Sequence, residues 1–180
     1  MHRTIEMVQQ PVTSALDSVD AQILAILATD GRIANNALAS RVGIAPSTCL
    51  QRIRGLRQRG VLRGFAADID PTALGHPVQA MVSVRMQSHA RAKLTEFMDA
   101  AIEMPGVLNA YLLGGSSDFL LHVASSSVDR LHEFVIEQLS GNPDVAATET
   151  NLIFKYARTR VPVISPAQTP RPQQSAPRSA

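Results

Sequence analysis

Cysteine is almost absent from this chain. Cys49 is the only one in 180 residues, so no internal disulfide can form, and no Cys/His cluster has the spacing of a zinc site. A cytoplasmic protein without a metal is expected. Long apolar runs are missing too: none approaches the roughly 18 residues of a spanning helix, and the polar N-terminus lacks the basic-then-apolar layout of a signal peptide. No membrane partner is expected. A strong overall charge is also missing, since 17 Lys and Arg against 15 Asp and Glu leave only +2. Any attraction for a polyanion must come from a local patch. Nor do the residues offer a nucleophile, base and orienting group in a recognisable arrangement. His2, His76, His89, His122 and His132 are scattered; His122 reads as part of a strand and Cys49 as a small core residue. No catalytic residue and no cofactor are expected.

What the chain does have is enough apolar sequence, 45%, to build two small cores. The stretch from Arg41 to Gly60 organises the first. Gly43 ends one helix, Pro46 suits the first turn of the next because its missing N–H needs no partner there, and Gly60 ends it. Upstream, Leu38 and Val42 mark a short helix, and Gly43-Ile44-Ala45 is a turn of helix-turn-helix length. On a helical wheel Cys49, Ile53 and Leu56 form an inward stripe, with Ser47, Thr48, Gln51, Gly55 and Gln58 opposite and Arg52 and Arg54 flanking them. Between Ala45 and Gly64 stand Arg52, Arg54, Arg57, Arg59 and Arg63 with no carboxylate, an imbalance that attracts phosphates. Double-stranded DNA is the expected partner: Ser47, Thr48, Gln51, Arg52 and Arg54 facing the major groove, Arg57, Arg59 and Arg63 favouring phosphates.

Around this segment, Asp17 is placed to cap a first helix, with Asp20 bonding back to the cap. Ile23, Leu24 and Leu27 supply its inward face, and Asp30-Gly31 stops it. Val61–Ile69 reads as two short strands around Gly64, a wing. The first domain is therefore expected over 16–69, after a flexible lead-in over 1–15 and before a turn-rich linker over 70–77.

A second domain is expected over 78–161. Val78, Ala80, Val82, Val84 and Met86 alternate with Gln79, Met81, Ser83 and Arg85 in a strand. Leu94, Phe97, Met98, Ala101 and Ile102 have helical spacing, and Pro105-Gly106 breaks that helix. Val107–Leu113 and Phe119–Ala124 form a hairpin, and Ser125 to Ser127 open a helix with Val128, Leu131, Val135 and Leu139 inward. A last strand is expected from Val145 to about Tyr156. The fold class is α+β: an N-terminal winged helix-turn-helix plus a C-terminal ferredoxin-like βαββαβ domain with both helices on one sheet face. Apolar residues on the other face predict cover by a second copy. Residues 162–180 carry five of the eleven prolines and read as a disordered tail.

Several linked motifs, Leu16-Asp17…Asp20…Ile23-Leu24, Asp30-Gly31-Arg32, Leu38-Ala39…Val42-Gly43, Arg52-Ile53…Leu56…Gly60-Val61-Leu62…Gly64-Phe65, Asp70…Leu74-Gly75 and Gly114…Asp118-Phe119-Leu120-Leu121, resemble those of the Lrp/AsnC family of bacterial transcriptional regulators. The resemblance spans about Leu16 to Val161. It implies a DNA-binding regulator of amino-acid metabolism, built as a homodimer that assembles to a higher oligomer, often an octamer, and switched by an amino-acid effector. It places that effector at Gly114, Gly115, Ser116 and Asp118, with Thr148 and Thr150 as weaker candidates. A carboxylate suits the effector's ammonium, and free N–H groups of a tight turn suit its carboxylate. The residues alone leave another reading open, in which the turn is only a hairpin connection and Asp118 an Asx-type turn former. Two departures stand out: Ala45 where the family often has a capping Ser, and Gly55 where it usually has a longer polar or basic residue. A different class of function also stays open, a stand-alone amino-acid-binding module or metabolic enzyme built on the βαββαβ domain.

Overall fold

The computed structural model describes residues 16–157. The lead-in expected over 1–15 and the tail expected over 162–180 lie outside the described residues. Within them the chain forms two compact units that divide between Ala67 and Asp68. The expected linker contains a 3-10 turn, Thr72–Leu74, closed by Gly75 at φ 84°.

The first unit has three helices, α1 (Ser18–Thr29), α2 (Asn35–Val42) and α3 (Pro46–Gln58). Asp17 caps α1, its carboxylate accepting from the Asp20 N–H at 2.8 Å. Gly43 takes the left-handed conformation, φ 74°, which a side chain would resist. That turn lets α3 fold back on α2, and the Asn35 amide ties the two starts together by donating to the Pro46 carbonyl at 2.9 Å. Ile23, Leu27, Leu38, Ala39, Cys49 and Leu56 form the core. Burying a side chain the size of Ile23, Leu38 or Leu56 contributes about 1.5–3 kcal/mol, so this core fixes the angle of α3.

The expected wing is not formed. After α3 the N–H groups of Val61 and Leu62 both donate to the Leu56 carbonyl, and residues 63–70 contain no strand. The ring of Phe65 instead lies against Gly31, where an added Cβ would be only 3.1 Å from it. A two-stranded ribbon with nothing to pack on is marginal, and contact with the α1–α2 loop supplants it.

The second unit is a four-stranded antiparallel sheet in the order β2-β3-β1-β4. Its strands are β1 (Val78–Met86), β2 (Val107–Leu112), β3 (Phe119–Ser125) and β4 (Val145–Leu152), with α4 (Leu94–Glu103) and α5 (Val128–Phe134) between them. Ala80, Val82 and Val84 of β1 meet Phe119, Leu121 and Val123 of β3, then Phe97 and Ala101 of α4 and Leu131, Val135 and Leu139 from α5 and its continuation. Both helices cover that one face. Gly106, at φ 88°, permits the turn into β2, since a Cβ there would sit 2.7 Å from the Ala124 carbonyl oxygen.

Three features of this unit differ from expectation. A 3-10 segment, Ser88–Lys93, precedes α4. Val128, the first residue of α5, is exposed rather than inward, and beyond α5 the helix widens into a π-helical turn over Val135–Ser140, where the four-residue steps Leu131, Val135, Leu139 follow the wider winding. The uncovered sheet face is also not apolar. Gln79, Ser83 and Arg85 share it with Asn109, His122 and Glu149, and Met81, Tyr111 and Leu120 are its larger apolar members. His122 bridges Gln79 Oε1 at 3.0 Å and Asn109 Nδ2 at 3.4 Å, and burial lowers its pKa. Hydrophobic cover is therefore not forced on this face by its composition.

Candidate nucleic-acid interface and effector turn

The sequence of α3 builds a helix with one buried and one free side. Cys49 and Leu56 are fully buried and Ile53 packs beside them. Burial raises the Cys49 pKa, which leaves the thiol inert rather than nucleophilic. Ser47, Thr48, Gln51, Arg54, Arg57 and Gln58 are exposed. Ala45 offers no side chain to cap the helix, so its first N–H groups lack a local acceptor and carry the positive end of the helix dipole toward solvent. A Cβ at Gly55 would meet nothing within 4 Å, so packing within the unit does not require glycine there.

Arg52 and Arg59 do not share that freedom. The Arg52 guanidinium donates to Asp17 at 2.6 Å and to Asp20 at 2.9 Å, while Arg59 donates to the other oxygen of Asp20 at 3.0 Å. Asp20, expected to close a capping box, spends its carboxylate on these two arginines instead.

The Asp17 pKa is lowered below its ordinary 3.8, chiefly by the Asp20 N–H and then by Arg52, against the opposing cost of burial. A carboxylate held low contributes stability above its unfolded value and loses it as pH falls through the folded value. Asp17→Asn keeps the cap but not the charge. Wild type should therefore be the more stable near neutrality, and urea midpoints of the two proteins should converge as pH drops below 3.8. Parallel curves across that range would remove Arg52 and the cap from the account of Asp17.

In the second unit, the turn from Gly114 to Asp118 joins β2 to β3 and is closed by Leu113 N–H donating to the Asp118 carbonyl at 2.8 Å. Asp118 is more than a local turn former. Its carboxylate accepts from the Met86 N–H at 2.8 Å, across to the end of β1 where the register with β4 shifts, and its own N–H donates to the Val84 carbonyl at 3.0 Å. One oxygen of Asp118 thus anchors the turn to β1. Gly114, Gly115 and Ser116 are exposed. Neither glycine has positive φ, and a Cβ on either would meet nothing within 4 Å.

Thr148 and Thr150 do not join this turn. Both lie on β4, opposite Val84 and Val82 of β1, so two strand spacings, about 10 Å, separate Thr148 from the start of β3. The Thr148 hydroxyl is engaged with Ser140 at 3.1 Å. Sequence reasoning missed the Asp20 pairing because its partners lie 32 and 39 positions away. The signal that was available is the pair Arg52 and Arg59, seven apart and so on one face of α3.

A helix-turn-helix unit followed by an α+β unit with a ferredoxin-like sheet defines a two-domain DNA-binding protein with a ligand domain. Residues 16–57 match the AsnC-type helix-turn-helix domain and residues 79–162 the Lrp/AsnC ligand binding domain. The chain is 49% identical over 148 residues to the HTH-type transcriptional regulator AldR of Mycobacterium tuberculosis, covering 82% of this chain and 83% of that one. It is 36% identical to the leucine-responsive regulatory protein of Rhizobium meliloti, covering 79% and 92%. The crystal structure of the M. tuberculosis AldR superposes with a TM-score of 0.70 at 44% identity, covering 83% of this chain and 99% of that one. A Neisseria meningitidis transcriptional regulator solved as a complex with L-Met superposes with a TM-score of 0.75 at 29% identity, covering 82% and 96%. The chain belongs to the Lrp/AsnC family of transcriptional regulators. Among the described residues no helix is long and apolar enough to cross a membrane.

Proposed function

We propose that this regulator reads its DNA site through the outward face of α3 and that a small neutral amino acid, bound at the turn Gly114 to Asp118, modulates that binding. The observation that carries the first half is the free face of α3: Ser47, Thr48, Gln51 and Arg54 are exposed, and no carboxylate occurs between Ala45 and Gly64. Side chains on such a face reach base edges, and Arg54 is the natural reader of a guanine. Arg57 and Arg63 then serve phosphates. Arg52 and Arg59 leave the proposed contact set because Asp17 and Asp20 hold them.

Two features support the effector half. The Asp118 carboxylate spends one oxygen on Met86 and keeps the other for an ammonium group. Gly114 and Gly115 are required neither by conformation nor by packing in the protomer, which fits positions where a ligand backbone comes close. The complex of the Neisseria regulator with L-Met supports an amino acid as the ligand class. Thr148 and Thr150, which lie on β4 opposite Val84 and Val82, are left out of this proposal. One recognition helix reads too few base pairs for a specific site, so the working form is a homodimer or a higher even-numbered assembly, an octamer among them, acting in the cytoplasm.

A gel shift with DNA from upstream of the protein's own gene tests the DNA half. Each phosphate neutralised contributes about −0.9 to the slope of log K against log salt, so a dimer holding about six should fall with a slope of roughly −5. Arg54→Ala should weaken specific binding by about 1–3 kcal/mol, the worth of one bidentate base contact. Binding that ignores salt, or that Arg54→Ala leaves untouched, removes α3 from the interface.

A further inference from the structure

Among the described residues of the first unit, Asp20 is the one buried acidic residue, with its side chain only 7% exposed. Its two oxygens are shared between two turns of α3, one to Arg52 and one to Arg59. Residues seven apart on a helix sit within about 20° of each other and about 10.5 Å along the axis, so a single carboxylate between them takes both guanidinium groups from one side. The arginines themselves are 31% and 32% exposed and reach the surface that a polyanion would approach. Without the carboxylate, Arg52 would keep only the exposed Asp17, a hold that phosphates can displace.

We propose that Asp20 is an electrostatic positioning residue that keeps two of the five arginines of the α3 segment off the DNA backbone and thereby limits sequence-independent binding. The inference rests on the reading of α3 as the DNA-facing helix. Exposed ion pairs are weak and readily exchanged, but a buried carboxylate stripped of its partners is left uncompensated and holds them far more firmly. Phosphates therefore compete poorly for Arg52 and Arg59. Asp17 adds a second, exposed hold on Arg52. Arg54 and Arg57 are exposed and, among the described residues, make no ion pair. The segment thus holds two restrained cations that brace α1 against α3 and leaves Arg54 and Arg57 to meet DNA. A regulator must leave random DNA to find its site, and nonspecific affinity grows with every phosphate neutralised. Restraint at Asp20 lowers that affinity without removing a base contact.

The test uses the full chain and a random-sequence duplex beside the upstream duplex, each titrated over a salt series. Asp20→Asn should raise affinity for the random duplex several-fold at low salt and steepen its slope by about 0.9 per recognition helix, the one phosphate that Arg52 gains when only the exposed Asp17 still holds it. Its preference for the upstream duplex over the random one should shrink. Arg52→Gln and Arg59→Gln should each leave the slope on random DNA at the wild-type value, whereas Arg54→Gln should make it shallower by about 0.9 per helix. An Asp20→Asn slope equal to or shallower than wild type overturns the proposal, because a purely structural role would weaken all binding without adding phosphate contacts. If circular dichroism shows Asp20→Asn unfolded, the arginine variants decide alone: a loss of slope at Arg52 or Arg59 overturns the restraint. An unchanged slope at Arg54 rejects the α3 reading itself and is distinguishable from failure of the restraint.

Discussion

Asp118→Asn should leave the second unit folded and reduce its affinity for a neutral amino acid by roughly ten- to a hundred-fold. Asn keeps an oxygen to accept from the Met86 N–H, now at 2.8 Å, so the turn stays anchored to β1. What it loses is the negative charge. A charge-assisted hydrogen bond is worth about 1.5–3 kcal/mol, and each 1.4 kcal/mol is a tenfold change in affinity. Asp118→Ala should do more harm, because it also strips the Met86 N–H of its acceptor at a further cost of about 1–3 kcal/mol in stability. Calorimetric titration with alanine and a panel of other neutral amino acids, alongside urea unfolding of both variants, separates the two roles. Because the effector acts only through a difference in its affinity for two states, the Asn variant should also bind upstream DNA without responding to the amino acid. Wild-type ligand affinity in Asp118→Asn would reduce this turn to a hairpin connection that Asp118 merely braces.

The two halves of the molecule were legible to different depths. Local signals placed the helix ends at Gly43 and Pro46 and the inward stripe Cys49, Ile53, Leu56, because capping chemistry and helical period are written in adjacent residues. Alternation in β1 likewise assigned Ala80, Val82, Val84 and Met86 to the core, as their burial confirms. Failures came where the deciding partner was distant. The second oxygen of Asp20 and the guanidinium of Arg59 are neighbours only after α3 folds against α1, so a capping box was the best local guess. The wing failed for the same reason: β-branched and apolar residues between Val61 and Ile69 suit strands, yet Phe65 found Gly31 before any strand partner. Asp118 was singled out through family resemblance, but its bond to Met86, 32 positions away, follows from strand pairing that sequence does not display. The uncovered sheet face is more polar than expected because Gln79, Ser83 and Arg85 alternate with the buried side of β1 and set its composition.

Phe119→Ala should destabilise the second unit by about 3–5 kcal/mol, the usual cost of truncating a buried aromatic to a methyl group. Phe119 is fully buried, and its ring meets that of Phe97 on α4 with centroids 4.7 Å apart and planes tilted by 39°. It stands opposite both Val84 of β1 and Leu112 of β2, so one side chain joins three strands to the covering helix. Phe97→Leu serves as the measured contrast. It removes the ring pair, worth about 0.5–1.5 kcal/mol, while retaining much of the buried volume. Phe119 also follows Asp118 directly, so the same cavity should loosen the anchor of the turn and weaken amino-acid binding, an effect that Phe97→Leu should show only faintly. Urea unfolding of the full chain, followed with a probe in each unit because two domains need not unfold together, gives the stability difference, and calorimetry gives the affinity. A loss below about 1 kcal/mol for Phe119→Ala, far under the cost of truncating a buried aromatic, would mean that the sheet closes over the cavity. Normal amino-acid binding by a variant destabilised to the expected extent would show instead that the turn is held by Asp118 and Met86 without help from the core beneath it.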